Sequence, residues 1–215
     1  MVKAFVQDIA IRVVDILRHD TKRNVVARAS QLIGGWEGWL QVELACALGD
    51  WTQQVVREQK VYRNVDGNGR ELKTDLKILL PDNDGQFLSV ELKVQSAGQN
   101  GTFAKTIFDA YMTKVGRFFK GDISGACGIM VIDNYPTIAL FDNDLLEVGP
   151  DHLRRMGRLP ENGTLDTGHV VYWWDLEVNP NSGKAIVSWD SAEVFFKWLS
   201  ADPDRFEVRG MEIEH

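Results

Sequence analysis

The chain has 215 residues, 44% of them hydrophobic, which is enough for a sizeable core in one compact domain, and no repeat or low-complexity linker divides it. Its 31 acidic and 24 basic residues leave a net charge of −7, which excludes a broadly basic nucleic-acid-binding surface but leaves room for a local basic strip. No run approaches the roughly 18 apolar residues of a membrane span, and no apolar signal stretch opens the chain, so no membrane partner and a cytoplasmic (cytosolic) location are expected.

Phe5 to Arg18 predicts an amphipathic helix with a packing role. A second helix is expected over Trp36 to Leu48, behind Gly34-Gly35 and with Gly49 as its stop. It carries two glutamates. Glu37 falls in the first turn, where the helix dipole favours an acid by about 0.3–1 kcal/mol. Glu43, between Val42 and Leu44, falls near the apolar stripe, where a carboxylate is costly without a partner. A strand is expected over Gln54 to Glu58.

Two strand-like runs follow, Arg70 to Leu80 and Gln86 to Val94, separated by Pro81-Asp82-Asn83-Asp84-Gly85, which reads as a hairpin. With those five residues as the loop, Leu80 faces Gln86 and Asp75 falls opposite Glu91. Alternation then sorts Leu76, Ile78, Leu80, Val90, Leu92 and Val94 onto one face and Lys73, Asp75, Lys77, Glu91 and Lys93 onto the other. A solvated edge hairpin with surface ion pairs is the ordinary reading of such a charged face. Two carboxylates in that register repel, however, at Cβ separations of about 4.5–5.5 Å. A positive charge between them removes the difficulty, and Mg²⁺ suits, since it is commonly held by one or two carboxylates with waters and substrate phosphate.

Gln95 keeps the parity of Glu91 and Lys93 and heads a polar, glycine-rich stretch; it either ends the strand or turns into the same site. Thr102 to Phe119 predicts an amphipathic helix, with Lys105, Lys114, Arg117 and Lys120 adding charge beyond the charged face. Ala126 to Asp133 predicts a buried strand. Residues 142–168 read as loop with a short helix around 151–156. Val170 to Val178 and Lys184 to Trp189 form a second expected hairpin about Asn179-Pro180-Asn181-Ser182-Gly183, followed by a helix capped by Ser191. Trp173, Trp174, Trp189 and Trp198 read as core packing, with base stacking or a dimer contact as the alternative. Cys46 and Cys127 fall in separate core-like runs and read as buried thiols rather than a disulfide framework. The four histidines show no zinc spacing.

Asp75 followed by Glu91-Leu92-Lys93 on the next strand resembles the PD-(D/E)XK nuclease superfamily, over about residues 35–135; Thr74 stands where the family name has proline. The resemblance implies an α/β fold, a restriction-endonuclease-like α/β/α core with a central mixed sheet. Here that core would carry an N-terminal helix over 5–18 and a C-terminal hairpin-helix addition at about 169–200. It further implies that Asp75 and Glu91 bind a catalytic Mg²⁺, for which Mn²⁺ may substitute in such enzymes. Lys93 would stabilise the developing charge or orient the attacking water, a glutamate on the preceding helix would be a further metal ligand (Glu43 preferred, Glu37 the alternative), and Gln95 would hold a water or phosphate oxygen.

The implied activity is metal-dependent hydrolysis of nucleic acid, by a DNA endonuclease of restriction type. A repair, recombination or toxin nuclease is the alternative, with RNA as the alternative substrate and a homodimer as one assembly. A non-catalytic binding or assembly module of the same fold is the competing class. A basic strip of Arg57, Lys60, Arg63, Arg70, Lys73, Lys77 and Lys93 near the site would offset the acidic body.

Overall fold

The computed structural model describes residues 2–29, 36–49, 52, 54–63, 72–80, 85–95, 114, 119–132, 156–160, 163–188 and 206–209. Three helices come first, α1 (Val2–Arg18), α2 (Asp20–Ala29) and α3 (Glu37–Leu48). The strands are β1 (Val55–Gln59), β2 (Thr74–Leu79), β3 (Phe87–Val94), β4 (Ile123–Ile132), β5 (Met156–Leu159), β6 (Val170–Val178), β7 (Ala185–Ser188) and β8 (Phe206–Arg209). Among the described residues they make one sheet, in the order β1-β2-β3-β4-β6-β7-β8, with β5 also paired to β6. The sheet is mixed, because β3 runs parallel to β4 and β7 parallel to β8 while the other pairs are antiparallel. The chain is therefore α/β. A parallel pair needs a crossover of a dozen or more residues, and residues 95–122 supply it between β3 and β4; of the helix expected over Thr102 to Phe119 only Lys114, which is helical, and Phe119, which instead bridges to Tyr62, are among the described residues.

The helices form because their apolar residues recur at helical spacing, and they persist because those stripes are buried. In α1, Val6, Ile9, Ala10, Val13 and Leu17 are inaccessible to solvent; in α3 the stripe is Leu40, Leu44 and Leu48, one turn apart. They pack on the sheet face made by Leu76, Ile78, Leu88, Val90, Leu92, Cys127, Ile129, Val131 and Val171. Each aliphatic side chain so removed from water contributes about 1.5–3 kcal/mol, so truncating Leu44 to alanine would cost about 2–5 kcal/mol. Behind that face, Trp174 of β6 lies flat against Gly128 of β4, where an added Cβ would stand 2.3 Å from the indole ring.

Several expectations are corrected. β5 lies inside the stretch 142–168 that reads as loop, and Met156 begins that strand; residues 151–155 lie outside the described residues. β6 pairs with β4 from Gly125↔Glu177 to Ile132↔Val170, so the C-terminal hairpin is an integral part of the sheet rather than an addition to it. Its core-like composition, Val170 to Trp174, is that of a strand buried on both faces. Helix α2 has no counterpart in the sequence reading, because its mostly polar surface carries only a weak apolar period. Cys127 is buried as expected, but Cys46 is exposed. Trp173 and Trp174 are buried, in line with core packing; Trp189, Trp198 and the helix expected from Ser191 lie outside the described residues.

Candidate active site

The β2–β3 ladder runs in the register that the five-residue loop requires. Leu80 N–H donates to Gln86 O at 2.9 Å, and the pairs Leu79↔Phe87, Ile78↔Leu88, Lys77↔Ser89 and Leu76↔Val90 follow. Residues 81–84 of the turn lie outside the described residues.

One step further the ladder stops. The alternation of bonded pairs would give the Leu92 N–H to the Thr74 carbonyl, but it donates instead to Asp75 Oδ2 at 2.7 Å. Thr74 Oγ1 donates to Val90 O at 2.7 Å, and Ser89 Oγ donates to Thr74 Oγ1 at 2.9 Å. The Asp75 side chain thus takes over a partner the backbone gives up, and the main-chain pairing of the two strands ends before Asp75 and Glu91.

A cluster of charges lies where the pairing ends. Lys93 Nζ donates to Glu37 Oε1 at 2.7 Å and stands 4.0 Å from Asp75 Oδ2. Glu91, 3% exposed, accepts from the Tyr62 hydroxyl on Oε1 at 3.1 Å and from Lys114 Nζ on Oε2 at 2.5 Å. Among the described residues, three carboxylates therefore meet two ammonium groups in this cluster. The titration of the groups responds accordingly. Burial pushes Glu91 up to about 7, with Lys114 opposing and Asp75 adding to the rise. Burial also raises Glu37, against the pull of its bond to Lys93. For Lys93 burial alone would favour the neutral amine, but Asp75, Glu37 and Glu91 together outweigh it and raise the pKa. Tyr62 is pushed well above its ordinary range by burial and then by the Glu91 charge, so it remains a phenol and a donor.

Of the residues singled out in sequence, the structure brings Asp75, Glu91, Lys93 and Glu37 together. Glu43 is elsewhere: it pairs with Lys22 of α2, and its side chain is 26% exposed. Glu37 thus takes the place for which Glu43 was preferred, because the N-terminal turn of α3, not its middle, reaches the point where the ladder ends. Gln95 is buried at the end of β3, where its N–H donates to Val131 O at 2.8 Å and its carbonyl accepts from Trp36 Nε1 at 2.9 Å. Tyr62 is the residue that sequence reasoning missed, since it lies between strands in a segment without periodicity; Lys114 was noted only as one of several helix-face charges.

The basic strip is largely matched by partners. Arg57 donates to Gln41, while Lys73 pairs with Glu58 and Lys77 with Asp122. Lys60 and Arg63 are exposed, and Arg70 lies outside the described residues.

Among the described residues no three of His, Cys, Asp and Glu are grouped so as to hold a metal ion by themselves. Asp75 and Glu91 are nevertheless oxygen donors of the type that Mg²⁺ takes, and two carboxylates completed by waters suffice for it. A cation beside a carboxylate as nearly dry as Glu91 offsets the cost of its burial, so the donor chemistry fits. No helix among the described residues is long and apolar enough to cross a membrane. No family model matches the chain, and neither the curated proteins nor the solved structures contain a match to it.

Proposed function

We propose that the chain is a Mg²⁺-dependent phosphodiesterase of nucleic acid, a DNA endonuclease of restriction type built on a restriction-endonuclease-like core. The observation that supports it is the end of the β2–β3 main-chain pairing before Asp75 and Glu91, with Glu37, Lys93 and Lys114 drawn in beside them. When bound, Mg²⁺ would polarise the scissile phosphate and lower the pKa of the attacking water. Asp75 and Glu91 are the residues to hold it. The Leu92 amide fixes the Asp75 carboxylate, and Tyr62 fixes that of Glu91. Glu37 holds the Lys93 ammonium beside Asp75, where a compact point charge can meet a phosphate oxygen.

A second reading, a non-catalytic module of the same fold, is favoured by one observation: Glu37 and Glu91 each have a lysine partner, Lys93 and Lys114. Incubation of the protein with supercoiled plasmid, linear duplex, single-stranded DNA and RNA, in Mg²⁺, Mn²⁺ and EDTA, separates the two. Metal-dependent cleavage that is absent from Asp75→Ala supports the nuclease. Binding without cleavage in either metal supports the module, and cleavage retained by Asp75→Ala sinks the assignment of the site.

A further inference from the structure

Glu91 is gripped from two sides by groups of opposite character. On Oε1 sits the Tyr62 hydroxyl, and everything about Tyr62 is fixed. It is 2% exposed, its ring centroid lies 4.9 Å from that of Phe119, and its backbone bridges to Phe119. Next to it, Lys120 N–H donates to Val61 O at 2.8 Å, while Phe119 N–H donates to Gly183 O at 2.7 Å. A phenol buried and packed this way is held more tightly than a half-exposed lysine.

On Oε2 sits Lys114, whose side chain is 29% exposed on a flexible four-carbon stem. Its ammonium can leave for water once another cation takes over the charge of Glu91. Because the two donors use different oxygens, one can depart while the other stays.

We propose that Lys114 is a displaceable counter-ion of Glu91: it occupies Oε2 while no divalent cation is bound and yields that oxygen when one binds, with Tyr62 holding the carboxylate in place throughout. This rests on the reading of Asp75 and Glu91 as metal ligands and adds to it a residue outside the Asp75–Glu91–Lys93 set. An ammonium and a divalent cation need the same lone pairs, and they repel each other at contact distance. The freed ammonium stays tethered beside the site, where a phosphate can take it up. Tyr62 is a positioning residue, since it acts on the site through its hydrogen bond to Glu91.

The test is carried out on the intact protein without nucleic acid, with Mn²⁺ or Mg²⁺ alone as the probe. A short pulse of acetic anhydride followed by peptide mass spectrometry measures the exposure of each lysine amine. Acylation of Lys114 is expected to rise several-fold on addition of metal, whereas that of Lys22, engaged with Glu43 away from the cluster, stays constant. The rise is absent in Asp75→Ala. In calorimetric titration with Mn²⁺, Lys114→Met is expected to bind roughly tenfold more tightly, the scale on which one adjacent charge alters a carboxylate's hold on a cation. Tyr62→Phe, which keeps the ring against Phe119, binds more weakly, and Lys22→Met is unchanged.

Lys114 labelling that ignores bound metal overturns the displacement and leaves the nuclease reading intact. Failure of both wild type and Lys114→Met to bind Mn²⁺ overturns both. Binding by Lys114→Met alone supports the displacement, with the lysine then the stronger competitor. Unchanged affinity in Tyr62→Phe removes the tyrosine from the proposal.

Discussion

The two ends of the β2–β3 hairpin share one alternation of residues and reach opposite outcomes. Toward the turn, from Leu76 to Leu80, the main-chain ladder is complete. The one lysine on the polar face there, Lys77, pairs with Asp122 and lies 4.0 Å over the Phe87 ring. At the far end the ladder is broken, a carboxylate replaces a carbonyl as the acceptor of the Leu92 amide, and Glu91 is shut away from water, so that burial raises its pKa against the pull of Lys114. Where the backbone satisfies itself, charges sit at the margin and compensate one another. Where side chains replace the backbone, charge is buried, an arrangement that costs stability and is therefore informative about function.

Substitutions can break this contrast. The largest expected effect is on cleavage in Asp75→Asn, which keeps an acceptor for the Leu92 amide but loses the charge. Its rate in Mg²⁺ should fall by at least about 10²–10³-fold, the scale of losing one strong electrostatic contact in a reacting site, while urea unfolding shows stability little changed. Asp75→Ala should lose activity equally and in addition cost about 1–3 kcal/mol, because the Leu92 N–H is left without its acceptor. If the two variants unfold alike, the carboxylate is not standing in for the ladder.

The next effect is on pH dependence. A folded pKa raised to about 7 means that the folded chain holds the Glu91 proton more tightly than the unfolded one. Stability from this group is thus fully present below the ordinary carboxylate pKa and is lost as pH rises through about 7. Over that window the loss amounts to about 3 kcal/mol. Unfolding curves in EDTA should show this decline in the wild type and a flatter profile in Glu91→Gln; equal slopes would mean that Glu91 ionises as freely as a surface acid.

Smaller still, Glu37→Gln should slow cleavage by loosening Lys93, whereas Glu43→Gln should leave it unchanged. At the regular end, Lys77→Met should cost about 1 kcal/mol, since its ion pair with Asp122 is only half-buried, and leave the cleavage rate alone. A large effect there would erase the distinction between the two ends.

The regular end was legible in the sequence because two local signals agree on it: the apolar alternation of Leu76, Ile78 and Leu80 with Leu88, Val90 and Leu92, and a turn of set length. That register also foretold the meeting of Asp75 with Glu91. The choice between Glu37 and Glu43 was not legible, since both are compatible with the helix and the outcome depends on how α3 lies across the sheet and on Lys22 of α2. Tyr62 could not be read at all. It reaches Glu91 through a bridge to Phe119, a pairing between residues far apart in the chain that leaves no periodic trace near either. The position of β6 within the sheet was hidden for a similar reason, because a hairpin's sequence shows its own pairing and not which neighbour it will join.

Gly183 ends that same line of contacts. It has φ of +72°, and a Cβ on it would fall 2.4 Å from the Phe119 carbonyl oxygen, while its own carbonyl accepts the Phe119 N–H. Phe119 in turn carries Tyr62, and Tyr62 carries Glu91. The turn at the tip of the β6–β7 hairpin is therefore a remote handle on the acidic cluster. An engineer attaching a dye, a loop graft or a fused domain at residues 179–184 would be adjusting the site without touching it, and one who wants the site left alone should build elsewhere.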